Sequence, residues 1–164
     1  MTDFKPAYTE INFIVIANLA NKIRREHYIS IVGKPQIDYM LKEFQSASAI
    51  HKHIGEGFEY FIIIYNQEAV GYLSVRPEKE ALFLSKIYVL SEYRGKGIGK
   101  RAMEFIDDRA GYHNLKTIYL TVNKNNSNSI KAYERMGFEN LGSVVKDIGN
   151  GFVMDDYKMK KILI

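Results

Sequence analysis

The stretch Ser91-Glu92-Tyr93-Arg94-Gly95-Lys96-Gly97-Ile98-Gly99-Lys100-Arg101 decides how the rest of the chain is read. An apolar, β-branched run precedes it and apolar residues at helical spacing follow, so it joins a strand to a helix. Three glycines alternate with larger residues. Lacking a Cβ, glycine lets successive backbone N–H groups turn toward one point and form a concave seat for an anion. The following helix adds unpaired N–H groups and the positive end of its dipole. Lys96, Lys100 and Arg101 reinforce the same sign. A diphosphate suits such a place; the competing reading is a flexible turn that holds nothing. Two familiar phosphate motifs fail. A P-loop needs glycine where Arg94 stands and a hydroxyl residue where Arg101 stands. A dinucleotide fingerprint needs a third glycine at Lys100 and an early βαβ unit.

Working outward, Ala81 to Val89 reads as a strand and Gly97 to about Tyr112 as a helix with Ile98, Ala102, Phe105, Ile106 and Ala110 inward. Upstream, Phe58 to Tyr65 and Ala69 to Val75 read as strands joined by a turn at Asn66-Gln67-Glu68. Short connections of this kind imply an antiparallel meander. The N-terminal part reads as helices. One spans about residues 10–27, capped by Thr9, with Ile11, Ile14, Leu19 and Ile23 inward. A second begins at Pro35 and carries Ile37, Met40, Leu41 and Phe44. A short third passes through Ile50 and Ile54 and ends at Gly55 or Gly57. Downstream, residues 117–122 form a strand, 127–136 a helix, and 139–147 and 151–160 closing strands. The order implies an α+β fold with one mixed sheet.

The chain has 164 residues, 46% hydrophobic and 26% charged, with 12 Gly, 3 Pro and no Cys. That length and composition predict a single domain over residues 1–164 with its own core. Without cysteine there is no disulfide framework, thiolate metal site or Cys nucleophile. No run approaches the roughly 20 apolar residues of a membrane span, and Met1 to Pro6 lacks the layout of a secretory signal, so a cytoplasmic location is the expectation. The net charge of +4 attracts polyanions without choosing among them. No zinc-finger or basic-zipper motif supports nucleic-acid binding.

Arg94-Gly95-Lys96-Gly97-Ile98-Gly99 fits the Arg/Gln-x-x-Gly-x-Gly/Ala signature of GNAT acetyltransferases, and the span from about Leu82 to Phe138 resembles that superfamily. Lys86-Ile87-Tyr88-Val89 resembles the end of the family's fourth strand, and Leu120-Thr121-Val122 its fifth. The segment from Asn126 to Phe138, with Tyr133 and Gly137-Phe138, resembles its closing motif. The stretch from Asp147 to Lys160 is similar to bacterial members related to diamine and polyamine acetyltransferases. The resemblance implies a GNAT-like sheet, largely antiparallel, flanked by helices and splayed between the fourth and fifth strands. It also implies acetyl-CoA as co-substrate and direct attack by an amine on the thioester, in keeping with the absence of an acyl-enzyme nucleophile set.

Carried over position by position, the resemblance places the CoA diphosphate on the amides of Gly95, Lys96, Gly97, Ile98 and Gly99, with Arg94 and Lys100 beside it. The pantetheine arm lies along Ile87, Tyr88 and Val89, where a backbone N–H polarises the thioester. Asn126 bonds the arm from the other wall, and Tyr133 gives its proton to the leaving thiolate, as a phenol of pKa about 10 is suited to do for a thiol of about 8.5. The alternatives are a packing tyrosine and a capping asparagine. The base stays unassigned, because strand 82–89 carries no carboxylate; Glu56, Glu59, His113 or a water chain remain open. His51 and His53 do not share a helix face and read as an exposed turn, not a metal site. His27 reads as a helix-end residue near the negative end of the dipole. Asp155, Asp156 and Glu139 either attract a cationic amine or form a solvated hairpin. The expected acceptor is a small amine or polyamine, in a monomer or homodimer. A protein N-terminus or lysine is the alternative acceptor, and a non-catalytic acyl-CoA sensor the alternative function.

Overall fold

A computed structural model describes residues 1–163, apart from the side chain of His27. Its elements are β1 (Thr2–Pro6), α1 (Glu10–Val32), α2 (Lys34–Phe44), α3 (Ala47–Gly55), β2 (Glu59–Tyr65), β3 (Glu68–Pro77) and β4 (Leu82–Val89). A single turn of 3-10 helix follows, then α4 (Ile98–Tyr112), β5 (Thr117–Asn123), α5 (Ser127–Arg135), β6 (Glu139–Gly149) and β7 (Phe152–Ile162). The seven strands form one sheet in the order β1-β2-β3-β4-β5-β7-β6. All neighbours are antiparallel except β4 and β5. This is the expected mixed α+β sheet flanked by helices.

Two apolar clusters lie on opposite faces of the sheet. On one, Phe61, Ile63, Leu73 and Val75 pack with Ala102 and Ile106 of α4. On the other, Tyr60, Ile62 and Tyr72 pack with Ile16, Ala20, Ile37 and Ile50 of the N-terminal helices. Adjacent residues of β2 thus enter different cores, which is why that strand reads as an unbroken apolar run. Asn66 and Gln67 both have positive φ, 49° and 71°, the backbone a tight hairpin between β2 and β3 requires.

The N-terminal region departs from expectation in four ways. Residues 2–6 form an edge strand against β2, held by Phe4 stacking on Phe105 with ring centroids 4.4 Å apart. The first helix runs to Val32 and stops at Gly33, φ 87°. Its buried side is Phe13, Ile16, Ala20 and Ile23, while Ile11 and Ile14 are 73% and 46% exposed. Thr9 does cap it: Thr9 Oγ1 accepts from the Asn12 N–H and the Asn12 side chain accepts from the Thr9 N–H. His27 falls within this helix instead of at its end, and its side chain lies outside the described residues.

Two features of the sheet shape the space around its middle strands. The β3–β4 register slips by one residue, Ser74 facing Lys86 but Val75 facing Leu84, so Ser85 is bulged. The β4–β5 pairing is confined to Leu82–Ile118 and Phe83–Tyr119. Beyond Phe83 the two strands part, and the sheet opens between the fourth and fifth strands as expected.

Candidate active site

The opening leaves the edge of Leu84 to Val89 free of β5. A cleft of about 350 Å³ runs from that edge to the turn before α4, with Ile87, Tyr88, Val89, Arg94, Gly95, Gly97, Ile98 and Gly99 on its walls and Tyr133 at its inner end. Gly95 and Gly97 have φ of 76° and 78°. A Cβ built at Gly95, Gly97 or Gly99 meets nothing within 4 Å, so the backbone there borders open space. Helix α4 starts from Gly97 without a side-chain cap, and Arg101 N–H is the first donor back to the Gly97 carbonyl. Free helix N–H groups therefore face a gap one anionic group can fill. The Ile98 side chain is buried in the core beneath and fixes the first turn. Lys96 and Lys100 are exposed and lie outside the cleft wall.

A larger cavity of about 480 Å³ lies between the N-terminal helices and the splayed strands. It meets the cleft at Tyr28, Ile87, Tyr88 and Tyr133, which line both. The β6–β7 hairpin closes it from outside: Tyr39 Oη donates to the Ile148 carbonyl at 2.7 Å, and Gln36 Nε2 to the Val153 carbonyl at 2.9 Å. Gly149 makes that closure possible, since a Cβ there would stand 2.5 Å from Tyr39 Oη. Gly71 serves the other wall: its Cβ would meet the Tyr88 carbonyl oxygen at 2.2 Å, so only glycine lets β3 approach β4 so closely.

Tyr133 sits on α5 at the junction, its ring edge-on to Phe138 with centroids 5.6 Å apart. Burial pushes its phenol well above the ordinary tyrosine range, so it stays protonated at neutral pH. Asn126 occupies the N-cap position of α5, but its side chain does not cap: Nδ2 donates to Tyr28 Oη at 3.2 Å, and the residue lines the larger cavity. None of the three residues considered as bases reaches that cavity. Glu59 binds Arg109 of α4 and His113 just past its end, and Glu56 caps α3.

Several residues of the larger cavity carry chemistry that the sequence did not reveal. Lys86 lines it, partly buried above the Phe58 and Tyr60 rings, with its pKa pushed down to about 7 by burial and by the Arg24 charge. Arg24 is buried between the Tyr28 and Tyr88 rings and donates to Tyr88 Oη at 2.6 Å. Of the acidic residues at the hairpin, Asp156 is buried against the cavity, Asp155 pairs with Lys124 at 2.7 Å, and Glu139 is exposed. His53 also lines it, with Nδ1 3.0 Å from Tyr60 Oη, while His51 packs on Phe13.

The model of the acetyltransferase (GNAT) family matches residues 19–138. The chain belongs to the GNAT acetyltransferase family. Among curated proteins, the spermine/spermidine N(1)-acetyltransferase of Bacillus subtilis is 33% identical over 64 residues, 38% of this chain and 42% of that protein. The chain thus spans less than half the length of that relative. Two solved structures share the fold. The PaiA N-acetyltransferase of Thermoplasma acidophilum, in complex with coenzyme A, matches with a TM-score of 0.81 at 17% identity over 99% of each chain. A ribosomal-protein-alanine N-acetyltransferase of Brucella melitensis matches at 0.71 and 21% identity, again over 99% of each. Among the described residues, no helix is long and apolar enough to cross a membrane.

Proposed function

We propose that this GNAT chain transfers the acetyl group of acetyl-CoA to a small primary amine by direct attack. The observation that carries the reading is the meeting of two cavities at Tyr133, one bordered by an uncapped, glycine-lined helix start and the other enclosed by helices and a hairpin. Acetyl-CoA supplies the activated thioester and a diphosphate anchor. The backbone from Gly95 to Gly99 offers open N–H groups and no side chain in the way, which fits such an anchor, with Arg94 at its flank. The free edge at Ile87 to Val89 offers peptide groups to an amide-bearing arm, and an N–H there acts as the oxyanion donor; losing one such donor typically costs about 2.7–4 kcal/mol. Asn126 faces the junction from the cavity side.

In the transfer, the C–N bond forms as the C–S bond breaks. The acceptor ammonium gives up two protons: one is balanced by the proton Tyr133 delivers to the departing sulfur, the other leaves through cavity water. The dry surroundings that keep Tyr133 protonated also disfavour a thiolate beside it, so donor and acceptor rise together. A cavity walled by helices and a hairpin on several sides favours a small acceptor over a protein segment. The Bacillus relative's name points to polyamines, but Arg24 and Lys86 on the wall oppose a polycation.

Tyr133→Phe tests the role. Turnover of acetyl-CoA with an amine panel falls by about 10²-fold or more, the scale of a lost general acid, while acetyl-CoA affinity stays within about threefold. Retained turnover would remove Tyr133 from the chemistry. Wild-type protein that binds acetyl-CoA but acetylates no amine or peptide would instead be a sensor.

A further inference from the structure

Two ionisable groups of opposite sign are buried on the wall of the larger cavity, and neither forms an ion pair among the described residues. Arg24 is 5% exposed and Asp156 3%. The guanidinium faces are covered by the Tyr28 and Tyr88 rings, at 4.8 and 4.9 Å, so only its edge can receive an anion. Its Nε is enclosed and has no hydrogen-bond partner, and no carboxylate of the described residues pairs with it. Asp156 Oδ1 is likewise enclosed and without a partner. Asp156 feels the Arg24 charge but forms no ion pair with it; Thr121 bonds the Asp156 side chain and Tyr88 and Tyr72 bond the Arg24 guanidinium, so only neutral groups partner either one directly. A buried charge with neutral partners alone still carries a desolvation cost that an opposite charge in hydrogen-bond contact would offset. Both residues line the larger cavity and neither lines the glycine-bordered cleft, so the missing partners belong to the acceptor and not to the CoA diphosphate. Of the other ionisable groups on the wall, Lys146 and Asp147 are exposed on β6 and opposite in sign, and Lys86 adds a second basic group that also favours an anion.

We infer that the acceptor is an amino acid-like zwitterion, whose carboxylate takes the Arg24 edge and whose amine is held by Asp156 beside Tyr133. A guanidinium edge suits a planar carboxylate because two parallel N–H donors match its two oxygens. A carboxylate such as Asp156 accepts from an ammonium and releases it once the amine has lost its charge. A polyamine supplies a partner for Asp156 and none for Arg24. This inference rests on the acetyltransferase reading above.

The test uses wild-type protein, saturating acetyl-CoA and α-amino acids, each run beside its primary amide and its decarboxylated amine. Within such a set only the carboxylate changes. At least one amino acid is turned over with kcat/KM tenfold or more above both of its partners. In Arg24→Met that preference shrinks to within about twofold while acetyl-CoA still binds, and Asp156→Asn raises KM for amino acid and amide together. The wild-type comparison decides even if a variant fails to fold. Decarboxylated amines or spermidine turned over as well as the amino acids would overturn the inference and leave the enzyme reading intact. So would calorimetry on the CoA-saturated protein in which the amino acids bind no better than their amides. Failure to bind acetyl-CoA at all would defeat the parent reading instead.

Discussion

Lys86 offers a residue-scale check that needs no ligand. Its pKa of about 7 in the folded chain compares with about 10.4 when unfolded. Between those values the unfolded state holds more protons, so this group makes stability rise with pH from about 7 to about 10. Below about 7 the whole penalty for charging the buried amine is present. Lys86→Met therefore raises unfolding free energy near pH 6 by on the order of 1–3 kcal/mol, after the loss of its contacts with the Phe58 and Tyr60 rings, and the gain fades toward pH 10. Denaturant unfolding at both pH values measures it; a gain independent of pH would contradict the assignment. Residues of this kind were not legible in the sequence. Tyr133 and the glycines of 95–99 sit in local motifs from which the roles proposed for them are read. Arg24 reads as part of a short basic cluster, Lys22-Ile23-Arg24-Arg25, and Asp156 as part of a polar hairpin, because what makes each unusual is burial against elements far away in the chain.

Among the elements, α4 concentrates the prediction that separates binding from folding. Gly99 lies in the first turn of α4, φ there is not positive, and an added Cβ has open space around it. Gly99→Ala should leave the fold as stable or raise its stability by up to about 1 kcal/mol, since alanine loses less entropy in a helix. It should also weaken acetyl-CoA several-fold, because the new methyl enters the proposed diphosphate seat. Thermal melts and a binding isotherm on the same preparation measure both; unchanged affinity would contradict the placement of the seat. The strand–turn–helix around Gly97 was readable because glycine, charge and helical period agree locally. The first helix was harder. Ile11, Phe13, Ile14, Val15, Ile16 and Leu19 leave it apolar nearly all round, so periodicity does not define the inward face, and the core selected Phe13 and Ile16 over Ile11 and Ile14. Residues 2–6 carry one inward aromatic, too weak a pattern to mark an edge strand that pairing with β2 creates.

At the scale of the molecule, the parting of β4 and β5 after Phe83 joins the two cores to the two cavities. One core carries α4 and the glycine turn to one side of the gap; the other carries the helices that wall the larger cavity, the proposed acceptor space. Tyr133 stands where the spaces meet. The mixed sheet and its gap followed from element order and family motifs. The enclosure by α2 and the β6–β7 hairpin did not, because Tyr39 and Gln36 reach partners more than a hundred residues away. The most direct measurement is calorimetric titration of acetyl-CoA into the wild-type protein. Saturable heat at one molecule per chain is the predicted result, and the absence of binding heat across several temperatures would contradict the account.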